Sequence, residues 1–288
     1  MNYINLRARA KINLSLDVLG TRDDGFHDLR MIMQTVDLYD RIYIKKIEKP
    51  YIKIKSNLEW LPRDSRNLAY RAADIIRERY GIQDGVFIEL NKAIPVAAGL
   101  AGGSSDCAAV LYGMNILFGL KISREELAEI ALSLGSDVPY CLMRGTALAE
   151  GRGEILTKLP DCPHMWVVLA KPPMSLSTAA VYKAYDLVQV DEHPDTEGLV
   201  NALENRNTKE ISSKLVNVLE NVSIPMCPVI GDLKKTMLSF GAMGALMSGS
   251  GPTVFGLFDD RKKAQAAVDE IKDTYKLKDV ILTKIFNV

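Results

Sequence analysis

Residues Pro95 to Ala109 read PVAAGLAGGSSDCAA, and they gather Gly99, Gly102 and Gly103 beside two serines and an aspartate. Upstream, VFIEL (Val86 to Leu90) alternates apolar and other residues as a half-buried strand requires. Downstream, SDCAAVLYGMNIL reads as a helix. A bare backbone between a strand and a helix start lets amide N–H groups converge on an anion, phosphate first among them. Glycine suits such a loop because it keeps side chains out of the anion's path and accepts positive φ. The same residues also fit a flexible loop in which Ser104 or Ser105 is an ordinary N-cap. The stretch is not a Walker loop, since Ser104 stands where lysine is needed, and it lacks the G-x-G-x-x-G spacing of a Rossmann turn.

Working outward, RIYIKKIEK (Arg41 to Lys49) and YIKIKS (Tyr51 to Ser56) alternate like VFIEL, and the three read as a meander. NLAYRAADIIRERY (Asn67 to Tyr80) repeats its apolar positions at three and four, the helical period. SREELAEIALSLG (Ser123 to Gly135) is a helix that opens with Ser123 and Glu126 in capping-box spacing and stops at glycine. Beyond it come a strand at Met165 to Pro172, helices near Thr178 to Asp186, Thr208 to Leu219 and Val229 to Phe240, strands GALMS and TVFGLF, a helix at Arg261 to Tyr275, and the strand DVILTKIF. Strands and helices mix without regular βαβ alternation, which points to an α+β protein. The loop LPDCPH (Leu159 to His164), with two prolines, is the candidate hinge between residues 1–158 and 159–288.

Composition narrows the function classes. The chain has 288 residues, 48% hydrophobic and 25% charged, as a folded globular protein of one or two domains has. Lysine plus arginine equals aspartate plus glutamate at 36 each, so no net charge favours a nucleic-acid partner. Cys107, Cys141, Cys162 and Cys227 are scattered without C-x-x-C spacing, which argues against a disulfide framework or a structural zinc site and fits a reducing cytoplasm. Arg7, Arg9 and Lys11 break the N-terminal apolar run, so neither a signal peptide nor a membrane span is expected. The protein is expected to be a monomer or homodimer.

Three further stretches join the glycine loop in one pattern: AKINLSLDVLGTRDDGFHDL (Ala10 to Leu29), GSDVPYCLMRGTALAEGRGE (Gly135 to Glu154) and MSGSGPTVFGLF (Met247 to Phe258). Together, in this order along essentially the whole chain, they resemble the GHMP small-molecule kinases. The resemblance implies a two-domain fold: an N-terminal ATP-binding region (1–158) like the second domain of ribosomal protein S5, and a ferredoxin-like C-terminal region (159–288) carrying much of the substrate site. It implies that Pro95, Val96, Ala97, Ala98, Gly99, Leu100, Ala101, Gly102, Gly103, Ser104 and Ser105 cradle ATP, with Asn67 and Lys92 close to the adenine. Arg9, Phe26 and Ala101 depart from the usual residues of the pattern. Ala101 raises the question whether that backbone position has a negative φ, since a side chain is costly otherwise.

The resemblance also implies that Lys11 and Asp137 meet, with Asp137 as general base and Lys11 as orienting, stabilising cation. The chemistry makes the pair intelligible: an alcohol attacking a γ-phosphate loses a proton to a carboxylate, and a nearby ammonium keeps that carboxylate ionised. Without the resemblance, Asp137 reads as a turn residue beside a helix and Lys11 as a strand residue facing solvent. Asp106 fits the first turn of its helix through the dipole alone and is assigned no catalysis. Asn13, Phe26, His27, Thr178 and Tyr182 are implied as the nucleotide-substrate site, where Phe26 and Tyr182 could sandwich a cytosine; Gly249, Ser250 and Gly251 are implied as a second backbone wall. DGFHDL favours a cytidine-bearing alcohol as acceptor. The alternatives are a related kinase of homoserine, mevalonate or a sugar, and a nucleotide sensor without turnover. Mg²⁺ is expected with ATP, although no carboxylate cluster names its ligands.

Overall fold

Ile12, Leu14, Leu16 and Val18 alternate with Lys11, Asn13, Ser15 and Asp17, and all eight residues are buried. Their strand is covered on both faces, one apolar and one polar. The computed structural model describes all 288 residues. In chain order the first elements are β1 (Tyr3–Thr21), β2 (His27–Ile47), β3 (Ile52–Ser56), α1 (Leu68–Arg79), β4 (Gly85–Asn91), α2 (Gly102–Phe118), α3 (Arg124–Leu134), α4 (Val138–Met143), β5 (Thr146–Gly151) and β6 (Ile155–Lys158). There follow β7 (Trp166–Lys171), α5 (Thr178–Tyr185), α6 (Thr196–Glu204), α7 (Thr208–Ser213), β8 (Val216–Asn217), α8 (Glu220–Met226), α9 (Val229–Ser239), β9 (Gly244–Met247), β10 (Val254–Phe258), α10 (Arg261–Tyr275) and β11 (Asp279–Lys284).

The chain forms two compact units, one of residues 1–10, 38–96 and 101–143, the other of residues 11–37, 97–100 and 144–288. They are drawn differently from the sequential regions 1–158 and 159–288, because β1 and β2 each contribute to both. Leu159 to His164, the expected hinge, lies inside the second unit. There Leu159 N–H donates to the Thr146 carbonyl, Cys162 N–H to Thr146 Oγ1, and Asn287 Nδ2 to the Cys162 carbonyl, so the two prolines mark an anchored connection.

In the first unit the strand order is β3, β4, β2, β1. β4 runs antiparallel to β2 and parallel to β3, so the expected meander is absent. A parallel pair needs a crossover, and α1 supplies it. Asn67 caps that helix by accepting from Ala69 N–H, and Ser123 caps α3 by accepting from Glu126 N–H at 3.1 Å, as the capping-box spacing predicts. Helix α2, with Cys107, Val110, Leu111 and Met114 fully buried, packs against α1 and α4.

In the second unit β6, β5, β2, β1 and β8 are neighbours in that order. A separate antiparallel sheet has the order β11, β7, β10, β9, with α9 and α10 packed on it. Numbered within that sheet, the order is four-one-three-two, the split βαβ arrangement of a ferredoxin-like region. The helix expected over Thr208 to Leu219 ends at Ser213, and Val216–Asn217 pair in parallel with Ser15–Leu16 instead. Two ladder positions on a distant strand outweigh the local helical pattern. No helix is long and apolar enough to cross a membrane.

Gly85 shows how tightly the first unit is drawn at the start of β4. A Cβ there would stand 2.0 Å from the Lys49 carbonyl oxygen and 2.4 Å from that of Tyr51, both backbone atoms. Gly85→Ala should therefore cost about 1–3 kcal/mol, read as a lower midpoint in urea denaturation; an unchanged midpoint would show that the strand entry yields freely.

Candidate active site

Within the second unit, Lys11 and Asn13 lie on the polar face of β1. The Lys11 ammonium donates to Asn13 Oδ1 at 2.6 Å, and Asn13 Nδ2 reaches Met31 Sδ at 3.2 Å. Lys11 N–H donates to the Leu100 carbonyl at 3.2 Å, which ties the strand to the glycine loop. Gly99 has φ of +73°, and a Cβ there would lie 2.2 Å from the Ser248 carbonyl oxygen. Ser248 Oγ in turn donates to the Gly99 carbonyl at 2.9 Å. A Cβ on Gly249 would stand 3.5 Å from Lys11 Nζ and 3.4 Å from the Gly99 carbonyl oxygen. Two glycine-rich segments thus meet backbone to backbone beside a buried ammonium, a combination that presents donors and positive charge to a phosphate.

The aromatic residues of this unit are arranged differently from the expected sandwich. Tyr182 stacks on His27, with ring centroids 4.8 Å apart, and His27 Nε2 pairs with Asp186 Oδ1 at 2.7 Å. Phe26 is 53% exposed and carries the Arg152 guanidinium 4.5 Å from its ring centre. Successive residues of an extended segment send their side chains to opposite sides, so Phe26 and His27 take different partners. Thr178 Oγ1 and Ser250 Oγ share a hydrogen bond of 2.9 Å, which joins the start of α5 to the second glycine segment.

Asp17 and the loop residue His193, neither of them an expected site residue, form a 2.7 Å pair. The hydrogen bond to the Asp17 carboxylate raises the His193 pKa, with burial acting against it. The signal was available: Asp17 continues the alternation Lys11, Asn13, Ser15. Nothing comparable marks His193 or Asp186.

In the first unit, α2 opens without a side-chain cap. Ser104 and Ser105 both lie inside its first turn, and Ser105 Oγ donates to the Arg9 carbonyl at 2.6 Å, so neither serine is the N-cap. The N-cap position belongs to Ala101, at φ +54° and ψ +29°. The φ of Ala101 is thus positive, and Ala97 is also left-handed, at φ +52°. The chain holds two alanines in a conformation that costs roughly 1–2 kcal/mol each for a residue with a Cβ, and the first-turn N–H groups of α2 are left for an incoming acceptor.

Lys92 lies 14 residues before Asp106 and is buried with it. Its ammonium bonds Asp106 Oδ2 at 2.5 Å and also Asp40 Oδ2, and the three side chains are at most 4% exposed. Asp40 Oδ1 accepts from Ala93 and Ile94 N–H at 2.6 and 2.8 Å. Burial disfavours the Lys92 charge, but Asp106 and Asp40 outweigh it and raise the Lys92 pKa. Burial pushes the Asp106 carboxyl well above the ordinary range; Lys92 pulls it down and Asp40 adds to the rise. Asn67 is likewise engaged, with Oδ1 on Ala69 N–H and Nδ2 on the Pro62 carbonyl.

Asp137 follows Gly135 at the end of α3, and its carbonyl accepts from Cys141 N–H to open α4. It is half-buried, and its carboxylate has no hydrogen bond or ion pair within the protein. No group of three or more His, Cys, Asp or Glu side chains is placed to hold a metal ion. Asp106 Oδ1 is buried without a hydrogen-bond partner. A magnesium ion held mainly by phosphates and water needs only one or two carboxylates, so this donor set fits a phosphate-bound cation better than a protein cage.

Residues 67–145 match the GHMP kinases N terminal domain, and residues 199–277 match the GHMP kinases C terminal domain. The chain is 49% identical over 286 residues to the 4-diphosphocytidyl-2-C-methyl-D-erythritol kinase of Lachnospira eligens, covering 99% of both chains. It is 50% identical over 278 residues to the enzyme of the same name from Caldicellulosiruptor saccharolyticus, covering 96% of this chain and 95% of that one. Its fold matches a crystal structure of a 4-(cytidine 5'-diphospho)-2C-methyl-D-erythritol kinase with a TM-score of 0.85 and 30% identity, over 99% of this chain and all of that one.

The buried triad generates a prediction with a definite sign. Lys92→Met leaves Asp40 and Asp106 facing each other without a cation, and should cost about 3–5 kcal/mol at pH 7. Carboxyls whose folded pKa lies above the unfolded one lose stability as pH rises through the folded value and regain it below. Urea midpoints of the variant should therefore recover relative to the parent from pH 7 towards pH 5. A variant as stable as the parent at pH 7 would show that the ammonium does not hold this network.

Proposed function

The chain belongs to the GHMP kinases, in their 4-diphosphocytidyl-2-C-methyl-D-erythritol kinase branch, and on that premise we propose the residues that carry its reaction. It is an ATP-dependent small-molecule kinase of isoprenoid precursor biosynthesis. The bond formed joins the γ-phosphorus of ATP to the 2-hydroxyl oxygen of 4-diphosphocytidyl-2-C-methyl-D-erythritol; the bond broken releases ADP. ATP binding is proposed for residues 1–158 and much of the acceptor site for 159–288, with Asn13, Phe26 and His27 contributed by the N-terminal part.

The observation that best supports phosphoryl transfer is the contact of Gly99 with Ser248 beside Lys11. It keeps side chains away from a patch of backbone next to a fixed ammonium, where charge on a transferring phosphoryl group is offset. Lys11, held by Asn13, is the stabilising cation. Asp137, whose carboxylate has no partner of its own, is the proton acceptor for the attacking hydroxyl. The first turn of α2 offers the N–H groups of Gly102, Gly103 and Ser104 to phosphate oxygens, that of Ser105 being used by the Ala101 carbonyl. Mg²⁺ bound with ATP would neutralise phosphate charge, and Asp106 is the residue whose unpartnered oxygen suits it.

On the acceptor, Phe26 supplies a stacking face for the cytosine, and the His27–Tyr182 stack, fixed by Asp186, supplies a second aromatic surface. Thr178, Gly249, Ser250 and Gly251 border the same site. The cytoplasm is the proposed location, in keeping with four buried thiols.

ADP release from ATP and Mg²⁺ tests the reading, with 4-diphosphocytidyl-2-C-methyl-D-erythritol, homoserine, mevalonate and galactose supplied separately. Turnover should require the first; turnover with another alcohol alone would change the acceptor, and none with any would leave a nucleotide sensor. Asp137→Asn should lower kcat by about a hundredfold or more while ATP still binds; unchanged turnover would remove Asp137 as base. Phe26→Ala should raise KM for the cytidine substrate about five- to 150-fold, the equivalent of a stack worth about 1–3 kcal/mol, and leave KM for ATP near the parent value. Equal losses for both substrates, with a much lower melting temperature, would show that Phe26 supports the fold through its packing with Arg152 and is not a stacking face for the cytosine.

A further inference from the structure

Asn217 lies outside every group of residues assigned above, yet its side chain holds the second glycine segment in place. It sits on β8, two residues long, which pairs in parallel with Ser15 and Leu16 of β1. The residue is 3% exposed. Nδ2 donates to the Met247 carbonyl at 2.9 Å and to the Gly249 carbonyl at 2.8 Å, while Oδ1 accepts from Leu219 N–H at 3.0 Å. Both amide hydrogens and one acceptor position are used, so the amide's orientation is fixed.

The two carbonyls that Asn217 holds flank Ser248. That residue has its own carbonyl against Gly99 and its hydroxyl on the Gly99 carbonyl. Glu220, three residues on, accepts from Met247 N–H at 2.8 Å and is itself paired with Lys234. A side chain anchored to the Lys11 strand through β8 therefore sets the height of Ser248, and Ser248 sets the position of Gly99. We infer that Asn217 is a positioning residue for phosphoryl transfer, aligning both glycine-rich segments beside Lys11 without touching either substrate. The inference rests on the kinase reading above.

Displacement of a phosphate-binding backbone by about 1 Å can cost about a hundredfold. Asn217→Leu, which keeps the bulk and removes the donors, should lower kcat/KM for ATP by about ten- to a hundredfold. It should also weaken binding of a non-hydrolysable ATP analogue measured by calorimetry. Ile271→Ala, in the core of α10, serves as the control for destabilisation alone; at a temperature where both variants are folded by near-ultraviolet circular dichroism, its kinetics should match the parent.

Asn217→Asp adds a readout that a merely structural residue would not move. An ionised carboxylate repels both carbonyls, whereas a protonated one donates to one of them. The ratio of variant to parent kcat/KM for ATP should therefore rise as pH falls from 8 to 6. Parent-like kinetics and analogue affinity in folded Asn217→Leu, or a ratio near one at every pH for Asn217→Asp, would overturn the inference. Failure of the parent to release ADP would instead count against the kinase reading, and the analogue titration would still decide on Asn217. A parent that does not bind the analogue would overturn both.

Discussion

The candidate site depends on one steric constraint: Gly99 and Ser248 approach so closely that no Cβ fits between them. Glycine at 99 follows from that distance and from the left-handed backbone together, since either alone already disfavours a side chain. The second glycine segment carries its own positive φ at Gly249 and Gly251, +59° and +84°. What the contact creates is an absence of side chains beside Lys11. Phosphate chemistry needs such bare backbone, because N–H donors act on an oxyanion only at about 3 Å.

β1 is the other half of that arrangement. Its polar face is unusual for a strand buried on both sides, and burying Lys11, Asn13, Ser15 and Asp17 is tolerable only because partners are at hand. Lys11 has Asn13, Ser15 Oγ accepts from Ile32 N–H, and Asp17 has His193. The first unit handles charge differently. There one ammonium is shared between two carboxylates, Asp40 receives two backbone N–H groups as well, and the residues just after β4 are fixed before the glycine loop begins.

Much of this was legible in the sequence where the cause is local. The Ser123 cap, the strand periods of β3 and β4 and the helix over Leu68 to Arg79 depend on neighbours a few residues away. The kinase pattern was legible through motifs spread along the chain. Partner choice was not: β3 alternates in the same way whether it joins β2 or β4, and β8 is too short to show a period at all. Lys92 looks like a surface lysine until Asp40, 52 residues earlier, is placed beside it. Ala101 carries no mark of its left-handed backbone, because nothing in an alanine announces that its neighbours have forced its φ. His27 and Tyr182 were both expected at the substrate site, but their mutual stacking depends on a separation of 155 positions that no spacing rule spans.

The four cysteines carry a consequence of a different kind. All are buried, two in each compact unit: Cys107 and Cys141 in the first, Cys162 and Cys227 in the second. Burial pushes the Cys107 and Cys162 thiols up to about 12, so neither supplies thiolate at neutral pH while its surroundings stay closed. Alkylation at either position therefore waits for a local opening and runs at the rate of that opening when reagent is abundant. With the modified peptides resolved by mass, Cys107 reports openings of the first unit and Cys162 those of the second.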